Sequence, residues 1–334
     1  MPFRSFTQPL MGLLLSGLLI GAALSPAEAE WLRRSENIMG TRVAVELWQT
    51  PGRQADDCAD RVFDEMRRID ALMSPFRPDS EVSVINRDAA IEPVSVSPEL
   101  YRLIEKSLEF SRLSNGAFDI SFASVGYRYD YREGKQPDDD SIRELLDNID
   151  YRQIRLADGR IRFGKPGMRI DLGGIAKGYA VDRSIDILKR CGIRHALVSA
   201  GGDSRLLGDR NGRPWMIGIR HPRRENAVAL RLPLDNSAIS TSGDYERFFI
   251  SNGERVHHII NPRTGKSAHN SWSSTVIGPD ATTTDALSTT LFILGAERGL
   301  KLIDQLDGLD AIIIDATGKT HYSSGLMAPE PSSG

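Results

Sequence analysis

The stretch from Met168 to Gly192 constrains the fold more than any other. Met168-Arg169-Ile170-Asp171-Leu172 reads as a strand, Gly173-Gly174 as a break, and the run from Ile175 through Arg190 as a helix. Val181, Ile185 and Leu188 fall at i, i+4 and i+7, an apolar stripe at helical spacing. Gly192 then stands where a helix C-cap belongs. An acid ending a strand, glycines that leave backbone groups uncovered, and Lys177 in the first helical turn suit an anionic, phosphate-bearing ligand. A plain tight turn followed by a solvated lysine fits the same letters. GxGxxG is absent, and the order here is Lys177-Gly178, not Gly-Lys-Ser/Thr. Gly265-Lys266-Ser267 lacks the first P-loop glycine, because Ile260 stands in its place.

Ordinary globular composition follows from 40% hydrophobic and 26% charged residues in a chain of 334. A net charge of −3 and the lack of a basic block give no reason to expect nucleic acid. Residues 1–29 read as a leader. Arg4 supplies the positive charge, Leu10 to Leu24 the apolar run, and Ala27-Glu28-Ala29 the cleavage site. The run is short for a spanning helix, and no cysteine follows it. A soluble, exported and periplasmic mature protein over residues 30–325 is therefore expected, with a disordered tail over 326–334. Cys58 and Cys191 are the only cysteines. In an oxidising compartment they could pair; two half-buried thiols fit the sequence equally. Their spacing offers no metal site.

Along the chain, Trp31 to Leu47 reads as a strand pair bent at Met39-Gly40-Thr41. A helix is predicted from Ala55 to Met73, a loop or short turn over Ser80 to Asn86, and a helix starting at Ser97-Pro98. Tyr127 to Asp140 reads as an exposed flap, and Ser141 with Glu144 as a capping box. Asp158-Gly159 and Asn252-Gly253 are hairpin signals. Strands are predicted at Ala196–Ser199, Trp215–Ile219, Val228–Leu232, Phe248–Ser251, Glu254–Ile260 and Ser274–Ile277. Apolar helices follow at Thr284–Leu294 and Ala296–Leu306, and a last buried strand at Ala311–Ile314. Hairpins mixed with helices, without regular βαβ alternation, point to an α+β fold with mixed or antiparallel sheets and no internal boundary.

Three further stretches carry candidate chemistry. Asp285 and Thr289 are i and i+4, so a helix presents them on one face. A carboxylate, a hydroxyl and backbone carbonyls are hard-oxygen donors suited to Mg²⁺. Helix capping by Thr282, Thr283 or Thr284, with Asp285 favouring the dipole, explains the same residues. His257 and His258 lie on a strand leading into Asn261-Pro262, so only one of them can enter a given site. That one could serve as a general base for a hydroxyl nucleophile; one surface and one core-edge histidine fit the same letters. Ser240 to Tyr245 reads as a hydroxyl-rich loop whose Thr241, Ser242 and Gly243 could place N–H groups on phosphate.

Taken together and in this order, these stretches resemble the ApbE family of FAD:protein FMN transferases. The resemblance rests on Met39-Gly40-Thr41, Met73-Ser74 through Asp79-Ser80-Glu81-Val82-Ser83 to Asn86, and Gly116-Ala117-Phe118-Asp119. It continues through Asp171-Leu172-Gly173-Gly174-Ile175-Ala176-Lys177-Gly178, Gly201-Gly202-Asp203 and Thr241-Ser242-Gly243. It ends on His258-Ile259-Ile260-Asn261-Pro262-Arg263-Thr264-Gly265 and Asp285 with Thr289. The resemblance implies a T-fold-like α+β protein that moves FMN from FAD to a Thr or Ser hydroxyl of an exported target. It implies that AMP is released and that Mg²⁺ is required. It implies that Met39, Phe76, Ala117, Phe118, Asp119, Asp171, Lys177 and Ile260 line the flavin-nucleotide site. The carbonyl of Gly174, with Asp285 and Thr289, would hold the metal. His258 matches the family histidine, and His257 is the other candidate. The implied partner is a membrane-bound redox subunit. Hydrolysis of FAD to FMN and AMP is the competing reaction at the same site, and flavin binding without catalysis is a third reading. The target, the oligomeric state and the choice of histidine are open at this level.

Overall fold

A computed structural model describes residues 1–2, 29–49 and 52–326. The predicted leader and tail lie, apart from those described ends, outside the described residues. The chain opens with a hairpin, β1 (Glu30–Ile38) and β2 (Thr41–Gln49). It turns at Met39 and Gly40, whose φ angles are 56° and 68°. Next come α1 (Arg53–Met73), α2 (Glu81–Asp88), β3 (Val94–Ser95), α3 (Pro98–Leu113), α4 (Ala123–Gly126) and α5 (Asp139–Leu146). The middle of the chain holds β4 (Ile154–Ala157), β5 (Arg160–Phe163), α6 (Ala176–Arg190), β6 (Ala196–Ala200), β7 (Asp203–Leu207), β8 (Trp215–Arg220) and β9 (Val228–Leu234). Then follow β10 (Ala238–Gly243), β11 (Phe248–Ser251), β12 (Glu254–His257), β13 (Ile260–Asn261), β14 (Lys266–Ser267) and β15 (Ser271–Gly278). The chain closes with α7 (Ala281–Leu294), α8 (Ala296–Ile303), β16 (Asp310–Asp315) and β17 (Thr320–Tyr322).

An antiparallel sheet in the order β1-β2-β6-β7-β10-β15-β16-β17 forms the frame. Strand alternation gives it two faces. On one, Val43, Val45, Val198, Ala238 and Val276 join the buried core under α1, α6 and α7. On the other, Ile239, Ile277 and Ile312 pack with Ile219 and with the β8–β9 ribbon residues Ile217, Leu230 and Leu232. The α+β class expected from the sequence is the class found.

Several local expectations are corrected. Ser80 to Asn86 is not a loop: Ser80 accepts from the Ser83 N–H at 3.0 Å and starts α2. α5 is capped by Asp138, not by a box at Ser141. α7 begins at Ala281 with Asp280 as its cap, so none of the three threonines caps it. Ala311–Ile314 is the last buried strand, as expected, and the half-buried β17 pairs outside it. Tyr127 to Asp140 is exposed along most of its length, as expected, but it is pinned to the body. Asp130 and Lys135 exchange two backbone hydrogen bonds of 2.9 Å, Tyr131 packs on Tyr129 and Phe249, and the Tyr129 hydroxyl donates to the Gly265 carbonyl.

Met168 to Leu172 joins no sheet. The Asn86 side chain replaces a strand partner there. Its Nδ2 donates to the Ile170 carbonyl at 2.9 Å, and its Oδ1 accepts the Ile170 N–H at 2.7 Å. The Asp171 N–H then donates to the Ile120 carbonyl. A buried backbone needs its hydrogen bonds met, and one amide side chain can meet two of them.

Cys58 and Cys191 form a disulfide, with their Cα atoms 6.4 Å apart. It ties α1 to the end of α6 across 133 residues of sequence. Closing so long a loop restricts the unfolded chain, worth about 2–5 kcal/mol. Cys58→Ser/Cys191→Ser should lose stability of that order in urea unfolding. An unchanged midpoint would show that the bond does not stabilise the fold.

Candidate active site

The site grows from the crossing of α6 and α7. α7 is buried nearly all round, its hydroxyl and carboxylate side chains included. Its N-terminus is held by two carboxylates. Asp280 accepts from the Thr283 N–H at 2.8 Å, and Asp182 of α6 accepts the N–H groups of Ala281 and Thr282, each at 2.8 Å. Orphan helix donors are met this way, and negative charge suits that end of the dipole. One turn before Asp182, α6 touches α7 at Gly178. A Cβ there would overlap the Ala281 carbonyl and come within 2.8 Å of the Asp285 Cβ. The approach brings the Gly178 N–H to 2.9 Å from Asp285 Oδ2.

Lys177 sits over the same carboxylate. Its Nζ lies 2.8 Å from Asp203 Oδ2, 3.5 Å from both Asp285 oxygens and 3.3 Å from the Gly173 carbonyl. Asp203 and Asp285 are each only 2% exposed. Burial works against the Lys177 charge, but Asp203 and Asp285 outweigh it and hold its pKa above the usual lysine value. Burial, then the Asp203 charge, raises the Asp285 pKa, against the pull of Lys177 and the Gly178 N–H.

Hydroxyls complete this pocket. Asp285, Ser288 and Thr289 share one face of α7. Ser242 Oγ, from β10, lies 2.8 Å from Ser288 Oγ and 3.1 Å from Thr289 Oγ1. A Cβ built on Gly174 would lie 3.5 Å from Thr289 Oγ1 and 3.2 Å from the Phe118 ring, so Gly174 and Phe118 border the same pocket. Among the described residues, no group of three or more His, Cys, Asp or Glu side chains is gathered for a metal. Mg²⁺ is bound by one or two carboxylates with other oxygens. Two buried carboxylates with adjacent Thr and Ser hydroxyls are a donor set of that chemistry.

A second cluster adjoins it. Asp171 Oδ1 accepts from the Gly173 N–H at 2.6 Å. Burial raises the Asp171 pKa, opposed by that bond and by the charges of Arg247 and Lys177. His258 Nδ1 is buried without a hydrogen-bond partner. Burial, with Arg247, His257 and Lys177, lowers the His258 pKa to about 3, so its ring is neutral at neutral pH. Arg247 Nη2 donates to the Gly40 carbonyl at 3.3 Å, which links this cluster to the Met39-Gly40 turn. An open cleft of about 510 Å³ runs beside that turn, lined by Met39, Gly40 and Thr41 with Arg42, Arg67 and Asp70.

The fold therefore brings together Asp171, Gly174, Lys177, Ser242, His258, Asp285 and Thr289, with Phe118 and the Met39 turn at the border. Other predicted site residues are placed differently. His257 is 1% exposed, its Nε2 lies 2.7 Å from the Ala268 carbonyl, and its ring meets Phe292 edge-on. Asp119 spends both oxygens locally, on Ser121 and on the Tyr151 N–H. Ala117 packs with Ile259 and Phe292. Ile260 is buried in β13. Phe76 is 86% exposed. The expected phosphate loop is strand β10, whose backbone pairs with β7 and β15. Period-two alternation aims Ser240 and Ser242 at α7 and Thr241 at Thr275 on β15; Gly243 ends the strand. Small side chains let a helix lie close on that strand, and so many hydroxyls together imitate a loop in sequence.

Sequence reasoning assigned no role to Asp203, Asp182, Ser288 or Arg247. Asp203 had a signal, since it follows Gly201-Gly202 at a strand end. A Cβ on Gly201 would lie 2.9 Å from Thr41 Oγ1, so this turn passes tightly between strands and delivers Asp203 to Lys177. Arg247 had no signal.

Comparison with known proteins shows the family. The ApbE family matches residues 39–313, and the chain belongs to that family. A relative from Treponema pallidum, an FAD:protein FMN transferase, is 31% identical over 92% of this chain and 91% of its own. One of the same name from Klebsiella pneumoniae is 32% identical over 83% and 87%. The crystal structure of an ApbE protein from Thermotoga maritima superposes with a TM-score of 0.82 at 34% identity, covering 89% of this chain and 98% of that one.

Two predictions follow from the packing. Gly178→Ala should separate α6 from α7 and cost about 1–3 kcal/mol; an unchanged unfolding midpoint would show that the helices can shift freely. Burial also lowers the His257 pKa to about 4. The unfolded chain then binds a proton that the folded chain refuses between about pH 6.5 and 4. Stability should fall as pH drops through that window, by on the order of 3 kcal/mol from this residue. His257→Gln should flatten the pH–stability curve there; an identical slope would sink the assignment.

Proposed function

We propose that this protein is an FAD:protein FMN transferase, transferring FMN from FAD to a Thr or Ser hydroxyl of an exported protein and releasing AMP. The observation that carries the reading is the buried oxygen cluster of Asp203, Asp285, Ser242 and Thr289 under Lys177, beside a neutral His258. Storing flavin requires neither an oxygen donor set for a metal nor a neutral histidine beside it. Asp285, Thr289 and the Gly174 carbonyl would hold Mg²⁺, with Asp203 and Ser242 close by. Bound there, Mg²⁺ would supply charge neutralisation for the diphosphate and for the departing AMP.

In this reading the acceptor oxygen forms a bond to the FMN phosphorus while the bond from that phosphorus to the AMP oxygen breaks. The acceptor proton leaves as its oxygen becomes an ester, and His258 accepts it. Its proton affinity is low because burial, Arg247 and Lys177 disfavour a further positive charge. An anionic dinucleotide entering between those cations offsets them and raises that affinity when the base is needed. Gly173-Gly174 and Phe118 border the pocket and limit water within it. The disulfide supports an oxidising compartment, consistent with export and with a periplasmic, membrane-bound redox subunit as the acceptor.

The test is intact-mass spectrometry of a candidate acceptor domain incubated with the protein, FAD and Mg²⁺, with and without EDTA. A metal-dependent FMN adduct on a Thr or Ser is the expected outcome, and Asp285→Ala should abolish it. Release of FMN and AMP without an adduct would make the protein an FAD hydrolase instead. Full transfer by Asp285→Ala would remove the metal role given to that residue.

A further inference from the structure

We infer that Arg247 grips the diphosphate of the dinucleotide, the task that the sequence alone suggested for Lys177. The inference rests on the flavin-dinucleotide reading of the site and adds to it the residue that supplies anion affinity.

Charge partnerships decide between the two cations. Lys177 already faces Asp203 and Asp285. One ammonium between two buried carboxylates leaves no surplus positive charge of the protein's own there, so without Mg²⁺ that half of the site offers an incoming anion no net attraction. Arg247 is placed differently. Its guanidinium makes one hydrogen bond among the described residues, to the Gly40 carbonyl. No described carboxylate lies within ion-pairing distance of it.

The acids beside it in sequence are spoken for. Asp244 takes Arg223 at 2.6 Å, and Glu246 takes Arg220 at 3.1 Å. Of this run, Arg247 alone keeps an unneutralised charge. That charge reaches into the site: it lowers the pKa of His258 and counters the rise at Asp171.

Geometry fixes where the free donors stand. The Met39-Gly40 turn holds the guanidinium by one N–H at the edge of the site. Gly40, at φ 68°, leaves room for it, since a Cβ there would lie 3.2 Å from Arg247 Nη2. A guanidinium carries five N–H donors in a planar fork, so four remain. That fork matches phosphate oxygens two at a time, which an ammonium cannot do. A cation tethered by a neutral carbonyl keeps its full charge for a ligand while its position is set in advance.

The experiment compares the wild-type protein, Arg247→Ala and Arg247→Lys in EDTA, so that no turnover occurs. Isothermal calorimetry would measure binding of three probes: FAD, ADP and riboflavin. Arg247→Ala should weaken FAD and ADP by about 10-fold to 100-fold, the range of a lost charge-assisted hydrogen-bond pair. Riboflavin, which has no phosphate, should bind as before. Wild-type affinity for ADP should fall as NaCl rises, and more steeply than that of Arg247→Ala. Arg247→Lys, which keeps the charge and loses the fork, should fall between the two. FAD and ADP affinities within twofold of wild type in Arg247→Ala would overturn the inference. So would an equal loss for riboflavin, which would mark Arg247 as a support for the Met39 turn. A wild-type protein that binds riboflavin but neither FAD nor ADP would instead overturn the dinucleotide reading, and the inference with it.

Discussion

The contact on which this structure depends is the backbone N–H of Gly178 donating into the Asp285 carboxylate, with the Lys177 ammonium above it. A carboxylate at 2% exposure is tolerable only when its lone pairs and charge are met. Here an N–H, a cation and a helix crossing without side chains in the way meet them together. The two helices cannot part without stranding the acid, and the acid cannot be reached by a cation without that crossing. Packing and chemistry share one set of atoms.

The rest of the molecule holds that crossing in register. Asp182 binds the first N–H groups of α7 from one turn further along α6, and the disulfide fastens the far end of α6 to α1. Beneath α7, strand β10 offers serines in place of branched side chains, so the helix lies close and its hydroxyls find partners. A surface this polar in a core is stable only because its groups answer one another: Ser240 to Thr284, and Ser242 to Ser288 and Thr289. The same density of oxygen atoms makes the pocket suited to a hard cation.

The positive charge of the site is divided by burial. Lys177 lies half-buried between two buried acids, where its charge stabilises the fold. Arg247 lies at the rim in the turn before β11, tethered by a carbonyl, where its charge is available. His258 lies between the two spheres and stays neutral because both cations and its own burial disfavour protonation. Asp171, on a segment held by the Asn86 side chain and not by a sheet, faces the same cations.

Much of this was legible in the letters. The Val181, Ile185 and Leu188 stripe, the Asp285–Thr289 spacing and the glycine pair before Lys177 are local patterns, and local spacing dictates which side chains share a face. The hairpin turns at Asp158-Gly159 and Asn252-Gly253 were equally readable, since their residues adopt positive φ with little cost. What periodicity could not give was partnership across the chain. Asn86 replaces a strand for Ile170 84 positions away, and Asp203 and Asp285 compete for one lysine. β10 reads as a loop until a helix is seen lying on its serines, and only one of two adjacent histidines has its ring nitrogen committed to a distant carbonyl. By itself the sequence determined most of the elements, the family and the residue types at the site, because these depend on neighbours within a few turns. Only the tertiary structure decided which charges are spent on one another and which remain for a ligand, because charge balance is set by distances between residues far apart in the chain.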